Sequence, residues 1–380
     1  MLAICGGTVY TAAAASTSPL PGATILIQNG KILAVNQHIS IPHDAKIIDA
    51  RDKTITPGFI DCHTHIGLAE EAAGAAHLDK NEVNDPVCPH LRAIDGINPE
   101  DPGLRDAYSS GTTTIIITPG SETVIGGQSV AIKTYGHIID HMVLRQPAGI
   151  KMAFGENPIK TYVNKDQPPS TRMSIAGIIR EALVKARNYQ KNSTSSDRDL
   201  RMEALLLLLN GTIPLRAHAH AADDIMTAIR IADEFSLKLN IEHATAAHKI
   251  ADELARRNVT ATIGPSITAR VKVELRERTY STPALLHQAG VKIALITDHP
   301  ILPISSLRLE AALAIREGLP RDIALKAITL TAAEIIGVSD RVGSIEAGKE
   351  ADLVILDGDP FAVATNIEQV FVNGQQVFKR

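Results

Sequence analysis

Apolar and polar positions alternate in short blocks at both ends of the chain, and in longer blocks punctuated by helical patterns between them. Residues 2–11 read as a strand. Residues 23–28 and 31–36 read as two more, joined by Asn29-Gly30, a dipeptide that favours a tight hairpin. Residues 46–49 and 54–56 continue the pattern. The other end repeats it, with a turn and strand over 343–357 and a second hairpin, 367–372 and 375–378, around Asn373-Gly374. These ends predict one small composite β-sandwich built from both termini, residues 1–56 with 343–380.

The middle, residues 57–342, alternates strand and helix. Strands are predicted at 58–62, 112–118, 130–134, 149–154, 213–217, 237–241, 259–263 and 291–297. Helical runs at 221–235, 246–257 and 283–290 separate several of them. Such alternation argues for parallel βαβ units, and eight strands at this length suit an α/β fold of the (β/α)8 TIM barrel type. Two polar stretches, 67–103 and 189–199, read as long loops.

Composition narrows the function. A net charge of −4 over 380 residues gives no reason to expect a nucleic-acid or membrane surface. Aromatic residues are 3% with no Trp, which disfavours base-stacking platforms. Three cysteines, Cys5, Cys62 and Cys88, cannot build a disulfide framework, so a reducing, cytoplasmic setting is expected. The opening Met1-Leu2-Ala3-Ile4-Cys5 lacks a basic region and a long apolar core, so no signal peptide is expected.

In a barrel of this type chemistry sits at the C-terminal strand ends, and the ionisable residues gather there. His63 and His65 close the first strand, two residues apart and so on one face, where two neutral imidazoles can share a divalent cation such as zinc. Roughly 0.5 His-x-His pairs would arise by chance at this histidine content, so the pair alone is weak. Repetition strengthens it: His218 and His243 end the fifth and sixth strands. His220 opens the next helix and is a candidate for touching substrate or for a second ligand. Asp298 ends the last strand, where a carboxylate is costly unless paired, and is the candidate general acid/base. At the fourth strand Glu156 is the favoured metal ligand, with Lys151 the alternative if carboxylated. Gly126-Gly127-Gln128-Ser129 reads as a turn that admits backbone near the site, with Gln128 toward substrate. Arg172, Lys160, Tyr162 and Arg216 are candidate anchors for an anionic substrate. No Gly-x-Ser-x-Gly elbow is present, so Cys62 and the serines are not read as nucleophiles.

The segment Pro57-Gly58-Phe59-Ile60-Asp61-Cys62-His63-Thr64-His65, the Gly111-Thr112-Thr113-Thr114 entry and the closing Gly343–Val354 and Val372-Asn373-Gly374 segments resemble the amidohydrolase superfamily over nearly the whole chain. Within it the chain is most similar to the imidazolonepropionase-related group. The resemblance implies a metal-bearing barrel with His63, His65, His218 and His243 as ligands and Asp298 as acid/base. It implies one or two divalent metals, zinc first, with iron or manganese as alternatives. The expected activity is hydrolysis of an amide or cyclic-amide C–N bond in a small molecule, with His243 or the metal polarising the carbonyl. A deaminase of an aminated heterocycle, a dipeptidase and a non-catalytic scaffold are the alternatives. No position sets the oligomeric state; a homodimer is the working expectation.

Overall fold

A computed structural model describes residues 1–15, 18–71, 74, 78–191 and 197–380. Parts of both predicted loops, 72–73 and 75–77 in the first and 192–196 in the second, lie outside the described residues. The helix Arg172–Lys191 runs into the start of the second.

Both ends of the chain enter one sheet. Its strands are β1 (Leu2–Val9), β2 (Leu20–Gln28), β3 (Lys31–Asn36), β4 (Lys46–Asp49) and β5 (Thr54–Pro57) from the first end. The middle of the chain supplies β6 (Phe59–Thr64), β7 (Thr112–Ile117), β8 (Ile125–Lys133), β9 (Val143–Ala153), β10 (Leu215–Ala219), β11 (Leu239–His243), β12 (Thr260–Ile263) and β13 (Ile293–Leu295), and the other end adds β14 (Leu353–Leu356), β15 (Ile367–Val372) and β16 (Gln375–Lys379). The terminal sheet has the order β16-β15-β14-β5-β1-β2-β3, with β4 alongside β1. Asn29 and Asn373 both have positive φ, 51° and 50°, as the two-residue hairpin turns require. The two turns meet across Ala351, whose N–H donates to Gly30 O at 2.8 Å and whose carbonyl accepts from Gly374 N at 2.9 Å. Ile4, Ile25, Ile55, Leu353, Ile355 and Phe371 form this sheet's own apolar core.

The second sheet contains β6 to β13 in sequence order. Its first and last strands approach through a parallel bridge between Thr64 and His299, so the sheet is nearly closed, consistent with a TIM barrel. One expectation needs correction: the eight strands are not all parallel. The strand predicted at 130–134 is the end of β8, which pairs antiparallel with both β7 and β9. Only seven residues, 118–124, join β7 to β8. A parallel crossover takes a dozen or more residues, so a short link forces the chain to turn back.

Gly126 to Ser129 therefore lie within β8 and are not a turn before it. Gly127, at φ +121°, lies against the loop before the first helix, and a Cβ there would stand 2.5 Å from Leu91 O. Elsewhere periodicity reads true. In the helix Ala222–Phe235 the buried Ile225, Ala228, Ile229, Ala232 and Phe235 recur on one face. The run predicted at 246–257 is instead a 3-10 turn, Ala247–Ile250, followed by the short helix Ala251–Arg256.

Candidate metal centre

His63 and His65 lie at the end of β6, with side chains 1% and 7% exposed. Barrel closure brings Asp298 to them: Asp298 N donates to His63 O at 3.2 Å, and His65 N to His299 O at 2.9 Å. Asp298 Oδ1 then stands 3.3 Å from the Nε2 atoms of both His63 and His65. Two ligand atoms at about 2.0–2.1 Å from one tetrahedral zinc stand roughly 3.3–3.4 Å apart, so this spacing fits a shared cation. Across the same mouth, ligand atoms of His218, His220 and His243 lie within 4.8 Å of one another, as do those of His63, His65 and Asp298. The rings of His63 and His243, 4.8 Å between centroids, connect the two groups.

Three of the five histidines have Nδ1 held by a hydrogen bond, as metal ligands require. His65 Nδ1 donates to Thr118 O at 2.7 Å and His243 Nδ1 to Gly264 O at 2.9 Å. Carbonyl partners fix the tautomer and leave each Nε2 as a lone pair facing the centre. His220 Nδ1 shares a hydrogen bond with Thr245 Oγ1 at 2.8 Å. His218 is reversed: Nε2 faces Asn157 Nδ2 at 3.4 Å, while its buried Nδ1 has no partner. Asp298 Oδ1 is likewise buried without a hydrogen bond. The orphaned Asp298 oxygen beside the Nε2 lone pairs of His65 and His243 is a donor set suited to a divalent metal.

Electrostatics agree. Burial pushes His65 down to about 4 and His243 down to about 3, and holds His218 and His220 well below the ordinary histidine value. Burial opposes ionisation of Asp298, but the His63 and His65 contacts outweigh it and hold its carboxyl well below the usual range. Asp298 and His243 both adopt left-handed backbone, φ +55° and +68°, at their strand ends. Such conformations cost energy and cluster where side chains are aimed at a site.

Behind His63 lies a charged layer. Lys151 Nζ is 3.5 Å from His63 Nε2 and 2.6 Å from Glu242 Oε2. Arg216 Nη2 is 2.6 Å from Glu242 Oε1 and donates to Cys62 O at 2.5 Å. Glu242 Oε2 also stands 3.0 Å from His63 Nδ1, off the ring's N–H direction, so that nitrogen makes no aligned hydrogen bond. Asp61 braces the same strand end, accepting from His63 N and from the Thr297 amide and hydroxyl; burial pushes it up to about 7.

Several expected positions lie elsewhere. Glu156 belongs to neither ligand group. After β9 the chain turns through Gly155, φ +90°, so Glu156 opens the helix Glu156–Val163 and does not extend the strand. Its Oε2 pairs with Lys160 at 3.2 Å. Arg172 is held by Asp224 at 3.0 Å and Glu274 at 3.4 Å, which satisfies its charge outside the cavity. Gln128 Nε2 donates to Pro89 O at 3.2 Å. Arg216 and Tyr162 are fully buried and are not among the residues that line that cavity. His220 and Lys160 do line the cavity above the histidines. The sequence reading gave Glu242 no role and passed over Lys272 and Asn157. Lys151, Arg216 and Glu242 each interrupt an apolar strand run, and a buried charge demands a partner, so that signal was present.

Residues 54–377 match the model of the amidohydrolase family. The chain belongs to that family. It is 29% identical over 391 residues to amidohydrolase tasK of Hapsidospora irregularis, an alignment covering 93% of this chain and 40% of that protein. The chain thus spans well under half of that relative's length. It is 26% identical to an imidazolonepropionase of Treponema denticola, covering 94% of this chain and 92% of the relative. An amidohydrolase crystal structure from Thermotoga maritima MSB8 superposes with a TM-score of 0.96 at 43% identity, covering 100% of both chains. A prolidase complexed with N-methylphosphonate-L-proline matches at TM-score 0.66 and 19% identity, a likeness of fold alone. As a member of the amidohydrolase family, this chain is a hydrolase of carbon–nitrogen bonds. No helix among the described residues is long and apolar enough to cross a membrane.

Proposed function

We propose that this amidohydrolase is metal-dependent and cleaves the amide or cyclic-amide C–N bond of a small molecule, with zinc as the metal. The observation that carries the reading is the convergence of two ligand groups, His63, His65 and Asp298 with His218, His220 and His243, five of whose residues line one cavity with His63 behind them. A bound divalent metal supplies Lewis acidity, lowering the pKa of water from about 15.7 toward about 7.

This chain's residues do the rest. Asp298, ionised, takes the proton of the attacking water at a carboxylate oxygen. Protonated Asp298 then delivers that proton to the leaving nitrogen. His63, Asp61 and Glu242 fix the strand end that aims it. His243 is better suited to hold metal than to polarise the carbonyl, because its N–H is committed to Gly264 O and its Nε2 has no proton to donate. Burial keeps His65, His218, His220 and His243 neutral, the form a metal requires, whereas at His63 burial and Lys151 are outweighed by Glu242 and Asp298, which raise its pKa.

Elemental analysis tests the reading. Zinc-loaded wild type should retain metal after dialysis, and His63→Ala/His65→Ala and His218→Ala/His243→Ala double variants should each lose it. Equal metal content in all three proteins sinks the reading. Ammonia release from aminated heterocycles, without hydrolysis of any amide, would make the enzyme a deaminase.

A further inference from the structure

The cavity above the histidines measures about 360 Å3 and is lined by three lysines that the mechanism does not use: Lys80, Lys160 and Lys272. Such a volume suits a small molecule. The three are not equivalent. The Lys160 side chain is 61% exposed and stands 3.2 Å from Glu156. Water screens a rim pair of that kind, and it contributes little to recognition.

Lys272 is different. Its side chain is only 14% exposed. Its ammonium donates to Asn157 Oδ1 at 3.2 Å. Its nearest carboxylate, Glu274 Oε2, stands off at 3.6 Å, beyond the roughly 2.7–3.2 Å of a direct N–H···O bond. The other oxygen of Glu274 is already engaged, accepting from Glu156 N at 2.6 Å and lying 3.4 Å from Arg172 Nη2. An ammonium has three donors, so Lys272 keeps capacity for a group in the cavity. Burial pushes its pKa down, which is a cost that an incoming anion relieves.

Asn157 sets the distance scale. Its Nδ2 lies 3.4 Å from His218 Nε2 while its Oδ1 accepts from Lys272. One amide group therefore separates the ammonium from a ligand histidine. Val271, Leu275, Ile301 and Pro265 line the same cavity. A charge contact to a side chain as buried as that of Lys272 is stronger than one in open water. Lys80 lines the cavity as well and has no ion-pair partner among the described residues.

We propose that Lys272, oriented by Asn157, anchors a carboxylate of the substrate, so that the substrate is an amide or cyclic amide carrying a carboxylate a few bonds from the scissile carbonyl. The proposal rests on the metal-dependent amidohydrolase reading. One buried ammonium matches a single negative charge better than a phosphate dianion.

Three hydroxamates test it by calorimetry on the zinc-loaded protein: acetohydroxamate, the monohydroxamate of succinic acid, and phosphonoacetohydroxamate. A hydroxamate chelates metal, and only the last two add an anion. Wild type should bind the succinic compound at least tenfold more tightly than acetohydroxamate. Lys272→Met should abolish that preference while still binding acetohydroxamate. Lys272→Gln, which keeps a donor for Asn157 without the charge, should behave in the same way and guards against a packing defect in the first variant. No preference in wild type, or a preference that survives both substitutions, overturns the carboxylate anchor while leaving the hydrolase reading intact. A stronger gain from the phosphonate overturns the choice of carboxylate. If no hydroxamate binds, the metal reading fails and the anchor fails with it.

Discussion

Lys151 Nζ lies 2.6 Å from Glu242 Oε2 with both side chains fully buried, and Arg216 closes on the other oxygen of the same carboxylate at 2.6 Å. One anion thus serves two basic side chains beneath His63, and burial pushes the Lys151 pKa down. Burial opposes ionisation of Glu242, yet Arg216 and Lys151 outweigh it and hold its carboxyl well below the ordinary range. Removing one partner of a buried pair leaves an uncompensated charge, whereas removing a surplus cation does not. Glu242→Gln should therefore destabilise the fold by about 3–5 kcal/mol in urea unfolding. Lys151→Met, which leaves the Arg216–Glu242 pair in place, should cost much less. Equal losses from the two substitutions would contradict this account.

The same geometry separates two candidates for metal binding. Lys151 reaches His63, while Glu156 opens a helix and pairs with Lys160. Glu156→Ala should keep the zinc content of wild type, and Lys151→Ala should lower it. The comparison is direct by elemental analysis of proteins loaded in the presence of bicarbonate. Metal loss in the Glu156 variant alone would reverse the assignment.

Asp298 stands 3.3 Å from both His63 and His65 and is aimed by a left-handed backbone. A positioned proton-transfer group contributes about 10²–10⁴-fold to rate. Asp298→Asn should lower turnover by about that factor, with most of the metal retained because the five histidines remain. Full activity in that variant would remove Asp298 from the mechanism.

Lys133, on β8, joins the two sheets: its ammonium lies 2.5 Å from Asp352 and 2.8 Å from Glu350. Burial opposes ionisation of Glu350, but Lys133 and Arg341 hold its carboxyl below the ordinary value. A carboxyl with a depressed folded pKa stabilises above its unfolded value, near about 4.3, and that stability is lost as pH falls through the folded value. Unfolding free energy should thus drop between about pH 6 and about pH 3. Lys133→Met should lower stability at the upper pH and flatten the drop. An unchanged slope would show that the junction carries no such linkage.

Much of this protein was legible in the sequence because the signals are local. The Asn29-Gly30 and Asn373-Gly374 turns need positive φ, which few residue pairs supply, and both are hairpins in the structure. The strand runs that end in His63, His218 and His243 announce themselves by apolar content, and the alternation of strand and helix implies a barrel-like sheet. Other features depended on how distant segments meet. The reversal of β8 follows from the length of a link, which single-strand patterns do not encode. Glu156 and Arg172 looked available because charge is visible in a sequence and its partners are not; Lys160, Asp224 and Glu274 claim them only once the chain has folded. Asp298 meets His63 and His65 across a separation of more than two hundred residues, through barrel closure. Sequence by itself determined which residue types end which strands, because hydrophobic period and turn chemistry act over a few positions. Tertiary structure alone decided which of those residues share a site, because Coulomb and hydrogen-bond contacts act across space and depend on where the strands come to lie.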